Sequence, residues 1–154
     1  MKKVVIQAAD FDVTREVAAM TAGRADIGAV VTFTGLCRDE AGQLAALELE
    51  HYPGMAEAEI ARVAAEAEAR WPLMGLRVIH RHGKLAPGAQ IVLVAAASAH
   101  RAAAFAAADF LMDFLKTRAP FWKKEHRTDG TSGDWVSAKD ADDAAAARWK
   151  TGKH

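Results

Sequence analysis

Cysteine is nearly absent from this chain. Cys37 is the only one in 154 residues, which excludes an intramolecular disulfide and a cysteine-built metal cage. A surplus of either charge is absent too. Twenty Lys and Arg balance twenty Asp and Glu, so the bulk charge gives no reason to expect nucleic acid or a membrane surface as partner. No apolar stretch approaches the ~20 uncharged residues of a membrane span. The opening MKKVVIQAADFD holds only the apolar run VVI before Gln7, too short for a signal-peptide core. These absences predict a soluble, cytoplasmic protein. The six histidines show no HExxH-like spacing, and no Walker or GxGxxG loop occurs. Neither a metal nor a bound cofactor is therefore expected.

What remains is an ordinary globular composition, 51% hydrophobic and 26% charged. It suits one domain with a real core over residues 1–154. The pattern along the chain predicts a short strand over 3–7 and a helix over 14–22 capped by Asp10 or Asp12. Alternation predicts strands over 28–34 and 44–52, separated by a polar loop over 35–42. Pro53-Gly54 ends the second strand. A helix over 56–70 carries Ile60, Val63, Ala64, Ala67 and Trp71 on one stripe. Strands over 76–82 and 90–97 flank a turn at Pro87-Gly88. The run IVLVAAA has no polar residue, as expected of a central strand. A long helix over 99–118, capped by Ser98, ends before Pro120. A strand over 121–127, a brief pairing at Trp135-Val136 and a tail helix over 140–149 complete the pattern. Strands and helices intermix without strict alternation, so the predicted class is α+β with a mostly antiparallel sheet packed against helices.

The densest chemistry lies in KTRAPFWKKEHR, residues 116–127. Six of these twelve residues are Lys, Arg or His, against the single Glu125. The ordinary reading is a solvated basic face at a helix end, where cations complement the dipole. Interleaving with Pro120, Phe121 and Trp122 favours a built site, because these residues fix the backbone around Lys116 and Lys123. A lysine crowded by cations loses its proton more easily and can serve as nucleophile or general acid/base. A second stretch, SAHR, puts His100 and Arg101 in the first turn of the long helix. The free N–H groups there favour an anion, although a cation at that end can also be merely tolerated. Arg38, in the loop after TFTG, is a third candidate. Cys37 beside it reads either as a low-pKa persulfide carrier or as an incidental small hydrophobe.

Taken together, GAVVTFTG with Arg38, LELEHYPGM, RWPL, VIHRHGKLAPG, SAHR with Phe105, LKTRAPFWKKE, DWV and the final RW resemble the molybdopterin synthase catalytic subunit family. The resemblance spans nearly the whole chain in order. It implies an α/β hammerhead-type fold and a homodimer within a heterotetramer. The partner would be a small ubiquitin-like subunit ending in a Gly-Gly thiocarboxylate. The substrate would be cyclic pyranopterin monophosphate, which takes two sulfur atoms to form the dithiolene of molybdopterin. By motif, Lys116 and Lys123 match the family's essential lysines. Arg38, His100 and Arg101 match substrate-binding positions, and Lys124 and Glu125, flanking the second lysine in the same pocket segment, are taken with them as substrate-binding residues. The pair Leu36-Cys37 before Arg38 departs from the family pattern. So does Lys139, where some relatives place an arginine. Two other functions fit the residues alone: a Cys37 persulfide sulfurtransferase, and a non-enzymatic module that docks an acidic tail.

One geometric expectation comes from helix length. Fifteen residues separate Arg101 from Lys116, roughly 22 Å along a helix axis. One small substrate cannot easily touch both ends, so a site shared between two copies of the chain is predicted, the alternatives being a break in the helix or two separate anion sites in one chain.

Overall fold

The computed structural model describes residues 2–39 and 41–137. The predicted tail helix over 140–149, and Lys139, lie outside the described residues. The strands are β1 (Val4–Gln7), β2 (Ala29–Leu36), β3 (Leu44–His51), β4 (Leu73–Arg81), β5 (Gly83–Leu85), β6 (Gln90–Ser98) and β7 (Phe121–Arg127). The helices are α1 (Val13–Thr21), α2 (Met55–Arg70) and α3 (Arg101–Thr117). One sheet has the order β1-β4-β6-β2 and the other β5-β3-β7. Among the described residues, only β1 and β4 pair in parallel. The fold is the α+β, mostly antiparallel, hammerhead-type arrangement that the sequence predicts.

Strand β6 explains the apolar run IVLVAAA. It lies between β4 and β2, and both of its faces are covered. Successive side chains point to opposite faces. Val92, Val94 and Ala96 enter the main core with Ile60 and Val63 of α2 and Leu111 and Phe114 of α3. Ala95 and Ala97 face the other way, against Met20 of α1. Of the predicted stripe on α2, Ile60, Val63, Ala64 and Ala67 are buried, joined by Ala56, while Trp71 is the C-cap residue and only partly buried against the core. Gly54 at its start has φ 85°, a left-handed conformation that glycine adopts at little cost. The Glu57 carboxylate accepts from the Gly54 N–H at 3.0 Å.

Three local expectations are corrected. Ser98 does not cap α3. It is the last residue of β6, and its hydroxyl donates to the Pro72 carbonyl at 2.8 Å. The cap position belongs to His100, whose side chain accepts no cap hydrogen bond. The loop over 35–42 begins later, because β2 runs through Leu36, paired with Gln90 across a bulge. The strand predicted over 76–82 starts at Leu73 and stops at Arg81. The chain then enters β5, which pairs with β3 in the second sheet. Three residues at a sheet edge carry too little periodicity to announce a strand. The capping of α1 is as predicted, with Asp12 accepting from the Arg15 N–H at 3.1 Å.

Candidate active site

The turn between α3 and β7 builds the site. Helix α3 closes with the Arg118 N–H donating to the Phe114 carbonyl at 2.8 Å. Ala119 is buried, and the Phe121 N–H donates to the Ala119 carbonyl at 2.8 Å. Pro120 cannot extend the helix, so the chain reverses into β7 within three residues. Lys116 in the last helical turn and Lys123 on β7 thereby line the same cavity of about 500 Å³. Its walls also take Thr34 and Leu36 from β2, Arg38 from the following loop, Leu49 from β3, His80 from β4 and Met112 from α3. The cavity lies where the two sheets meet, and it is of a size that holds a small organic ligand.

Its electrostatics are one-sided. Arg38, Lys116 and Lys123 are the charged residues in the lining, all cationic. Among the described residues, neither Lys116 nor Lys123 has an ion-pair partner. Three cations gathered in a chain with equal numbers of acids and bases form an anion receptor. A wider depression, of about 710 Å³, runs beside the start of α1. Most of its charged groups are already engaged: Arg77 meets Glu16 at 2.7 Å, Gln90 donates to Asp10 at 2.8 Å, and Asp12 caps α1.

The sequence candidates do not all come together. His100 and Arg101 line a separate, shallow pocket with Gly28, Ala29, Ala99 and Ala102, at the opposite end of α3. The backbones are very close there, since a side chain at Gly28 would collide with the Ala99 carbonyl. Lys124 and Glu125 do not line the cavity either. Alternation along β7 turns Lys124 to the other face, with its ammonium 5.7 Å from the Trp135 ring. Glu125 is exposed, opposite Leu47.

Cys37 is only 2% exposed, and its thiol lies 4.0 Å from the Leu85 carbonyl. Burial pushes the thiol pKa up, and the nearby Asp39 and Glu125 carboxylates add to the shift. Such a thiol holds its proton and makes a poor nucleophile. Among the described residues, no group of three or more His, Cys, Asp or Glu is arranged to hold a metal ion.

One site residue escaped the sequence reading. His80 lines the cavity and is 8% exposed. Burial, the largest influence, lowers its pKa to about 4. A signal was present: it shares its strand face with Leu76 and Val78, so the alternation carries a histidine onto an apolar face.

An α+β fold with a lysine-lined, anion-accepting cavity at the junction of two sheets defines the class of protein. The chain belongs to the MoaE protein family, whose sequence model matches residues 6–118. Among its relatives is the "molybdopterin synthase catalytic subunit" of Mesorhizobium japonicum. That protein is 73% identical over 96% of this chain and 93% of its own length. The structure of a molybdopterin biosynthesis MoaE protein from Burkholderia ambifaria superposes with a TM-score of 0.84. It is 50% identical and covers 97% of this chain and 99% of its own. The structure of molybdopterin synthase from Staphylococcus aureus gives a TM-score of 0.79 at 31% identity, covering 89% of this chain and 98% of its own. The family match stops at residue 118, before Lys123, but these relatives extend the likeness across both lysines.

Proposed function

We propose that this chain is the catalytic subunit of a molybdopterin synthase. It moves sulfur from the thiocarboxylated C-terminus of a small ubiquitin-like subunit onto cyclic pyranopterin monophosphate, forming the dithiolene. The observation that carries this is the cavity in which Lys116, Lys123 and Arg38 converge without a carboxylate in the lining. Both ligands in the reaction are anions, a thiocarboxylate tail and a phosphate ester. Lys116 meets the thiocarboxylate, and Lys123 moves protons as sulfur replaces oxygen. Arg38 holds the substrate by charge-assisted hydrogen bonds. Lys124 and Glu125 support the segment next to Lys123. The functional unit is the whole chain, one domain over 1–154, acting in the cytoplasm. No helix among the described residues is long and apolar enough to cross a membrane.

His100 and Arg101 lie about 22 Å along α3 from Lys116, at a second pocket. Their proposed contact with the same substrate therefore requires a second copy. In a homodimer, the His100-Arg101 end of one chain meets the Lys116-Lys123 segment of the other, and two small subunits complete a heterotetramer. Two alternatives lose ground. A persulfide on Cys37 would need an accessible thiolate, which a buried, high-pKa thiol does not offer. A non-enzymatic module leaves the pairing of two lysines inside a cavity unexplained.

The direct test combines the purified chain with thiocarboxylated small subunit and cyclic pyranopterin monophosphate. Formation of the dithiolene is expected, and its absence would overturn the function. Mixed dimers made from Arg101→Ala and Lys116→Ala chains test the sharing. The Lys116→Ala parent is expected to be nearly inactive and the Arg101→Ala parent impaired at sub-saturating precursor, and the mixture to recover activity there, because one of its two pockets carries neither change. No recovery, with mixed dimers present by native mass spectrometry, would confine each site to one chain.

A further inference from the structure

Two polar side chains are buried among the described residues, Ser98 and His80. Ser98 is accounted for by the Pro72 carbonyl. His80 is only half accounted for. Its Nδ1 lies 2.8 Å from the Arg81 carbonyl oxygen. A carbonyl can only accept, so Nδ1 carries the proton and donates it. Burial, with small contributions from His51 and His82, holds the imidazole neutral far below physiological pH. Nε2 therefore bears no proton and can act only as an acceptor.

No protein group among the described residues meets Nε2. No fully buried side-chain nitrogen or oxygen among those residues lacks a partner. Nε2 therefore reaches solvent, and the space that His80 lines is the lysine cavity. The ring is held in place. Phe121 stacks on it, with centroids 3.8 Å apart and an interplanar angle of 17°. Phe121 and Lys123 project from the same face of β7, so the imidazole sits roughly 7 Å along the strand from the root of Lys123. The charged groups around it, Arg38, Lys116 and Lys123, are all donors. An acceptor-only atom fixed among donors selects a ligand that itself carries an N–H. Phosphate and thiocarboxylate groups carry none and a pterin ring carries several; the peptide N–H groups of a Gly-Gly tail are the competing donors, and they are absent when the precursor alone is added.

We propose that His80 is a substrate-recognition residue whose Nε2 accepts a hydrogen bond from an N–H of the pterin heterocycle, orienting the ring while the cations hold the anionic groups. This rests on the sulfur-transfer function proposed above. The role is that of an acceptor and not of a general base, since an imidazole so reluctant to take a proton cannot store one during turnover.

The test uses the full-length protein with 15N-labelled histidine. In the free protein His80 should show the neutral Nδ1–H tautomer. Its Nε2 resonance should move when cyclic pyranopterin monophosphate is added, and stay in place with inorganic phosphate alone. His80→Phe keeps a flat ring but removes the acceptor, and should weaken precursor binding about tenfold or more. Its affinity for inorganic phosphate should be unchanged. His80→Gln restores an acceptor oxygen near the Nε2 position and should recover most of the loss. A stationary Nε2 resonance in a wild-type protein that turns over would overturn this inference and leave the function intact. Equal losses in the Phe and Gln variants would do the same, by making His80 a packing residue. A wild-type protein that neither binds the precursor nor turns over would overturn the function and this inference with it.

Discussion

The two ends of helix α3 carry cations for opposite physical reasons. At the N-terminal end, His100 and Arg101 sit beside free backbone N–H groups, in a shallow pocket floored by Gly28 and Ala29. An anion there would be held by the helix terminus as much as by the side chains. At the C-terminal end, Lys116 is favoured by the dipole, and the turn at Pro120 folds Lys123 into the same cavity. One end is a small, shallow pocket, and the other a larger cavity whose cations stand among apolar side chains such as Leu49, Ile91 and Met112. The difference teaches where chemistry belongs. Water-poor walls strengthen electrostatic effects on a reacting group, whereas an open helix terminus positions an anion without shielding it.

The sharpest way to break this contrast is to remove charge at the lysine end. Lys116→Ala and Lys123→Ala should each lower turnover by about a hundredfold or more, with circular dichroism unchanged. A folded variant with wild-type turnover would remove that lysine from the chemistry.

Acid should also act at the lysine end, through His80. Its folded pKa, about 4, lies below the unfolded value of about 6.5. The unfolded chain therefore binds the extra proton first, and stability present above pH 6.5 is lost as pH falls toward 4. The loss should be on the order of 3 kcal/mol. In urea titrations at pH 7 and pH 4.5, His80→Phe should flatten this part of the stability curve. An unchanged slope in that variant would assign the pH dependence to other groups.

Charge removal at the Arg101 end should do less. Arg101→Ala should weaken binding of the pterin precursor about tenfold, the scale of one lost charge-assisted hydrogen bond. Arg38→Ala, in the wall of the lysine cavity, should fall in the same range. Calorimetry giving wild-type affinity for either variant would take that arginine out of the site.

The smallest effect is expected at Cys37. Cys37→Ser should keep turnover within about twofold, because a buried thiol of raised pKa supplies no nucleophile. Loss of turnover in a folded variant would revive the persulfide route.

Local pattern made much of the fold legible. The period-3.6 stripe of Ile60, Val63, Ala64 and Ala67 announces α2, and the unbroken run IVLVAAA announces a strand covered on both faces. Asp12 and Pro120 mark helix ends through their own short-range chemistry. The failures share a cause. Ser98 reads as a helix cap, but its hydroxyl is taken by Pro72, twenty-six residues away in sequence. Strand β5 exists because β3 offers it an edge, a fact that three residues cannot carry.

The site divides along the same line. The sequence by itself determined a basic, proline-braced segment around Lys116 and Lys123, and a helix too long for Arg101 to join them within one chain. Both follow from distances along a regular backbone. Only the tertiary structure decided that Arg38 shares the lysines' cavity, that Lys124 and Glu125 do not line it, and that Cys37 is sealed away. It also placed His80, one strand residue among many, in the wall of that cavity, buried and stacked on Phe121. Those outcomes depend on how two sheets and a helix end pack against each other, and packing is set by contacts between residues that the sequence keeps far apart.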